Sequence, residues 1–136
     1  MDKIDIYIKS TIVFIGSLFS YFVDGFGWAV TVLCILMLAD FVTGLLAGAK
    51  NEGLSSRRGY KGIKKKVYTI ILIGTVHLLE RYIIGSNGIL GDGAAIAFIV
   101  IEFVSIVENG GRMGIRMPIQ ISKVIEVLKG DVKNDK

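Results

Sequence analysis

The sequence predicts an all-α membrane protein of three to four transmembrane helices, closed by a C-terminal amphipathic helix. Three observations predict it. Of the 136 residues, 52% are hydrophobic, and the mean hydropathy is +0.61, more than a soluble core of this size calls for. The apolar residues come in long runs, as membrane spans require. The net charge of +4 comes from basic clusters set between those runs. The chain also holds 17 Gly and one Pro, and glycine is common where membrane helices pack closely. A basic chain can bind nucleic acid. Here the clusters flank apolar runs, as cytoplasmic loops do under the positive-inside rule, so no nucleic-acid partner is expected. Cys34 is the only cysteine. It excludes an intrachain disulfide and any cysteine-rich metal site, and it reads as a packing residue.

Residues 1–136 read as one domain with candidate spans at 10–23, 28–49, 67–84 and 94–107. The first run, STIVFIGSLFSYFV, is slightly short for a full crossing. It has no small-x-small cleavage site before Asp24, and a second span follows at once, so it is not read as a signal peptide. It either crosses, starting near Ile4 with Lys9 snorkelling, or lies in the interface. Asp24-Gly25-Phe26-Gly27 reads as a tight polar turn. Trp28 stands where an interfacial aromatic belongs.

The second run, Trp28 to Ala49, contains one charge, Asp40. Asp40, Gly44 and Gly48 recur every fourth residue and share a helix face, and Gly44-Leu-Leu-Ala-Gly48 is a pattern that lets two helix backbones approach. A densely basic connector follows over 50–66. Arg57, Arg58, Lys61, Lys64, Lys65 and Lys66 suit anionic lipid headgroups and fix this loop on the cytoplasmic side. Gly53, Gly59 and Gly62 are expected to interrupt helix here. It is not a phosphate-cradling nucleotide loop, because no strand precedes it and the glycine spacing is absent.

In the third run Gly74, His77, Glu80 and Arg81 lie roughly on one face. A lone His is most often a hydrogen-bonded packing residue, and no second ligand of metal spacing accompanies it. Glu80 and Arg81 are expected to be partly solvated. Gly85 to Gly93 reads as a loop. The fourth run extends from Ala94 to Val107, with Ile89 and Leu90 available at its start. Glu102, Ser105 and Asn109 form a polar stripe on it, and Gly110-Gly111 is expected to end it. Beyond, Pro118 suits a helix first turn and Gly130 a helix cap. Between them Ile121, Val124, Ile125 and Leu128 make the apolar stripe of an amphipathic helix over 117–129. The last residues, DVKNDK, read as disordered.

No nucleophile with a paired base and no metal-spaced cluster appears, so neither an enzyme nor a cofactor is expected. What remains is a set of acids at membrane depth: Asp40, Glu80 and Glu102, with Glu108 nearer the cytoplasmic end. A charged Asp at the centre of a span costs about 2.5–3.5 kcal/mol, so such acids are normally functional or paired. Two readings stay open. The acids line or gate a wet lumen, or they hydrogen-bond between helices and fix packing.

Taken in order, several motifs resemble the phage holin family, which includes clostridial toxin-secretion holins. They are Asp40-Phe-Val-Thr-Gly44; Leu54-Ser55-Ser56 with Gly59-Tyr-Lys-Gly62 and Lys64-Lys65-Lys66; the acid at Glu80; Glu102-Phe-Val-Ser105-Ile106-Val-Glu108-Asn109; and Gly114 with Pro118. They cover roughly residues 11–129. The sequence departs from the family pattern at Arg116, where relatives often carry a second proline, and at Glu80, where aspartate is common. The resemblance implies a multi-pass protein of the bacterial cytoplasmic membrane with a cytoplasmic C-terminus. Such a protein forms a homo-oligomer that opens lesions, releasing an endolysin or a toxin without obligatory direct binding. Assembly would use Asp40, Gly44, Gly48, Glu80, Glu102, Ser105 and Asn109, with membrane lipids as the other partners. Two alternatives share these residues: a small proton or ion channel or transporter subunit, and a non-pore, antiholin-like regulator.

Overall fold

The computed structural model describes residues 2–51 and 53–130, apart from the side chains of residues 22, 23 and 26. The terminal DVKNDK run lies outside the described residues. The fold is all-α. Helix α1 runs Lys3–Asn51, α2 Ser56–Leu79 with a π-helical continuation Glu80–Ile84, α3 Ile89–Arg112 and α4 Ile119–Lys129. Among the described residues, four helical stretches are long and apolar enough to cross a membrane: Lys3–Tyr21, Gly27–Asn51, Ser56–Ile84 and Ile89–Arg112.

Helix α1 would be about 74 Å long if straight, more than twice the ~30 Å hydrocarbon core of a bilayer. It is divided at Gly27, whose φ of 80° and ψ of 173° are outside helical space. Only a residue without Cβ takes such an angle cheaply. Thr31 Oγ1 donates to the Gly27 carbonyl at 2.9 Å just past this joint. The expected turn over 24–27 is thus narrower than predicted. Asp24 and Gly25 are helical, and the break is Gly27 alone.

The core lies between the second arm of α1 and α3, which run in the same direction, with α2 returning antiparallel. Val30, Leu33 and Met37 fall at i, i+3 and i+7 and bury against Ile73 of α2 and Ala95 of α3. Ala47 and Ala95 are fully buried, as expected where small side chains allow helices to approach. The first arm of α1 packs against none of this: none of its apolar window, Lys3–Tyr21, is buried.

Three helix ends differ from the sequence expectation. Gly59 and Gly62 lie within α2. A helical glycine costs roughly 1 kcal/mol against alanine, and the long apolar run beyond them outweighs that. Gly110 and Gly111 do not stop α3, which continues to Arg112. The left-handed residue that ends it is Gly114, at φ 83°, with the Ile115 amide bonding back to the Gly110 carbonyl at 3.0 Å. Gly110 is small for a packing reason, since a Cβ there would sit 2.9 Å from Met117 Cε. The loop expected over 85–93 shrinks to 85–88, because α3 already starts at Ile89. Pro118 immediately precedes α4, and Gly130, at φ 71°, closes it.

Candidate functional site: a buried charge cluster

The buried positions of α2 and its π turn are Thr69, Ile73 and Glu80. Lys66 continues the same stripe, three residues before Thr69. It therefore points inward, about 15 Å along α2 from Ser56 at 1.5 Å per residue, while Arg57, Arg58, Lys61, Lys64 and Lys65 are exposed. Lys66 was expected among the headgroup-facing cations. Helical phase separates it from them.

The Lys66 ammonium donates to Asp40 Oδ2 at 2.8 Å and to Glu102 Oε2 at 2.5 Å. Its side chain is 16% exposed, against 16% for Asp40 and 11% for Glu102. The amide of Asn109 completes the group. Its Nδ2 donates to Asp40 Oδ1 at 3.0 Å and lies 3.1 Å from Thr43 Oγ1. Thr43 in turn bonds the Ala39 carbonyl at 2.9 Å. One cation, two carboxylates, an amide and a hydroxyl thus join α1, α2 and α3 at a single level. Such a cluster is costly to assemble in low dielectric unless its members pair, and here each ionised group has a partner.

Gly44 stands directly beside this group, where a Cβ would lie 3.5 Å from Asn109 Nδ2. The close approach it permits is to α3 of the same chain. Gly48 meets nothing within 4 Å and lines a cavity with Ser105. Lys50 and Asn51 tie the end of α1 to the end of α3, Lys50 through the Met113 carbonyl and Asn51 Nδ2 through the Arg112 carbonyl at 2.9 Å. Lys129 of α4 pairs with Glu108 of α3.

Glu80 does not join the cluster. It lies at the opposite end of the bundle and is 1% exposed, not partly solvated as expected. The π turn, closed by the Gly85 amide on the Glu80 carbonyl at 2.8 Å, accompanies this inward placement. The carboxylate accepts from the amides of Leu90 and Gly91 at 3.0 and 2.9 Å and from Ser86 Oγ at 2.5 Å. It satisfies the otherwise open N-terminus of α3, where negative charge is favoured. Arg81 is exposed. His77 packs on Gly91, whose Cβ would fall 2.4 Å from its ring. Its Nε2 is buried without a hydrogen bond and is 3.8 Å from Asp92 Oδ1, so the hydrogen-bonded role expected of it is not seen at that nitrogen.

Of the cluster's members, the sequence reading names Thr43 only inside the Asp40–Gly44 motif and gives Lys66 a different role, among the headgroup-facing cations. The signal for Lys66 was available in the spacing 66, 69, 73, 80.

The fold and the cluster define an all-α membrane protein whose deep carboxylates Asp40, Glu80 and Glu102 are paired within one chain. The sequence model of the bacteriophage holin family matches residues 17–130. The chain belongs to that family, which is not enzymatic. A probable holin of Bacillus phage phi105 is 25% identical over 73% of this chain and 73% of its own length. Uncharacterised proteins of Halalkalibacterium halodurans and Listeria monocytogenes are 33% and 32% identical. They cover 74% and 89% of this chain, and 78% and 86% of their own lengths. No solved structure matches.

Proposed function

We propose that this chain is a holin of the bacterial cytoplasmic membrane, whose copies assemble into lesions that release a cell-wall hydrolase or a toxin. It crosses the bilayer four times, with the basic segment 50–66 and the C-terminus cytoplasmic, where the positive-inside rule puts them. The hydrolase need not touch it. The observation that carries the reading, beside family membership, is the surface. The chain exposes 10408 Å², where a compact soluble chain of this length would expose roughly 7,000 Å². The exposed surface includes large apolar side chains such as Ile12 and Phe14, 64% and 68% exposed on the first arm. Such a surface needs lipid or further copies to cover it.

Inducible expression in bacteria carrying a cytoplasmic cell-wall hydrolase tests this. The expected result is a delayed, abrupt loss of turbidity with hydrolase activity in the medium. Loss of membrane potential with the hydrolase retained would replace the reading with an ion channel. No lysis alone, but altered timing of a second holin, would replace it with a regulator.

A further inference from the structure

At the cytoplasmic end of the bundle, a cavity of about 210 Å³ opens between the ends of α1 and α3 and the first turns of α2. Among the described residues, three cations line it, Arg58, Lys66 and Arg112, with one carboxylate, Asp40. They come from two helices distant in sequence, and the Asn51 bond to the Arg112 carbonyl fixes the backbone that carries one of them. Arg112 gives Nη1 to Asn109 Oδ1 at 3.5 Å, engaging one of the five donors of its guanidinium. Ser55, at the N-cap of α2, makes no side-chain cap bond and also lines the space. Much of the remaining wall is glycine. Gly48, Gly59 and Gly62 face it with no atom within 4 Å of where a Cβ would stand. Bare backbone there leaves room for a ligand to approach closely.

We propose that this cavity binds a phosphate-bearing anion, either the headgroup phosphate of a membrane phospholipid or free phosphate. Two guanidiniums facing one space match the planar, bidentate recognition of phosphate oxygens. Lys66 is committed to Asp40 and Glu102 and supplies background positive potential. The site differs from the general attraction of a basic loop for an anionic surface. Lys61, Lys64 and Lys65 line a neighbouring cavity and not this one. The proposal is independent of lesion formation.

The test is native mass spectrometry of the full chain in non-ionic detergent, titrated with phosphatidylglycerol or with inorganic phosphate. Arg58→Gln with Arg112→Gln should weaken retention of one bound ligand by about tenfold per guanidinium, the scale of a charge-assisted hydrogen bond. Gly59→Leu, which fills the space and leaves every charge in place, should also abolish it. The triple change Lys61→Gln, Lys64→Gln, Lys65→Gln should retain it. Phosphatidylglycerol held against excess inorganic phosphate identifies the headgroup as the source. Displacement by phosphate, with phosphate retained alone, identifies the free anion. Wild-type retention in the double arginine variant, or equal loss in the lysine triple, overturns the site.

Discussion

Replacing Lys66 by methionine keeps the length of the side chain and removes its charge. The change leaves Asp40 and Glu102, 16% and 11% exposed, without the ammonium that now sits 2.8 and 2.5 Å from them. Removing one partner of a buried ion pair costs about 3–5 kcal/mol. Asn109 still donates to Asp40 at 3.0 Å, worth about 1 kcal/mol. The loss should therefore fall near the low end, about 3 kcal/mol. Unfolding of the purified chain from mild-detergent micelles by added dodecyl sulfate, followed by circular dichroism, measures it. The same method on the triple change Lys66→Met, Asp40→Asn, Glu102→Gln separates charge from packing. With no charge left unpaired, that variant should recover to within about 1 kcal/mol of wild type. A Lys66→Met protein as stable as wild type, or a triple variant as weak as the single one, would refute the reasoning.

Gly91→Ala places a methyl 2.4 Å from the His77 ring. It should destabilise the bundle by about 1–3 kcal/mol, the usual range for overpacking, in the same unfolding assay. Adding His77→Ala should restore most of the loss if the clash is the cause. Glu80→Ala should raise amide hydrogen exchange at Leu90 and Gly91, whose N–H groups now donate to that carboxylate. Unchanged exchange there, measured by mass spectrometry of peptides spanning α3, would show that Glu80 does not cap the helix.

The fold was legible in the sequence because hydropathy over some twenty residues is a strong signal. Helix ends were less so, because they turn on single residues. Gly59, Gly62, Gly110 and Gly111 carry a local preference against helix that long apolar neighbours override. Gly27 looked no different from Gly25 in sequence, yet it alone breaks α1. In the site, the polar stripe Glu102–Ser105–Asn109 and the acid at Asp40 were each visible. Their meeting was not, since Asp40 and Asn109 are 69 residues apart in the chain. Lys66 was hidden for a different reason. Three consecutive lysines look alike by composition, and only their phase against Thr69 and Ile73 distinguishes the one that turns toward the other helices.

The pairing of the cluster bears on how a holin can be harmless before it acts. In a single copy the deep polar groups turn inward: Asp40 and Glu102 to Lys66, Glu80 to the start of α3. What faces outward from the spans is mostly apolar, so copies can accumulate in lipid without a conducting path. A lesion needs a polar lining, and the ionised groups deepest in the spans are those of the cluster. Under the holin reading, the lining must come from opening the cluster. The helix whose movement would open it is α2. Between Lys66 and Glu80, which hold it by their polar contacts, only Thr69 and Ile73 of α2 are buried. Displacing α2 would separate one cation from two carboxylates, exposing all three to water that could then hydrate them. Under the holin reading the acids would serve both roles left open by the sequence, packing in the single chain and lining in the assembly, and breaking the Lys66 pairs would be the step between them.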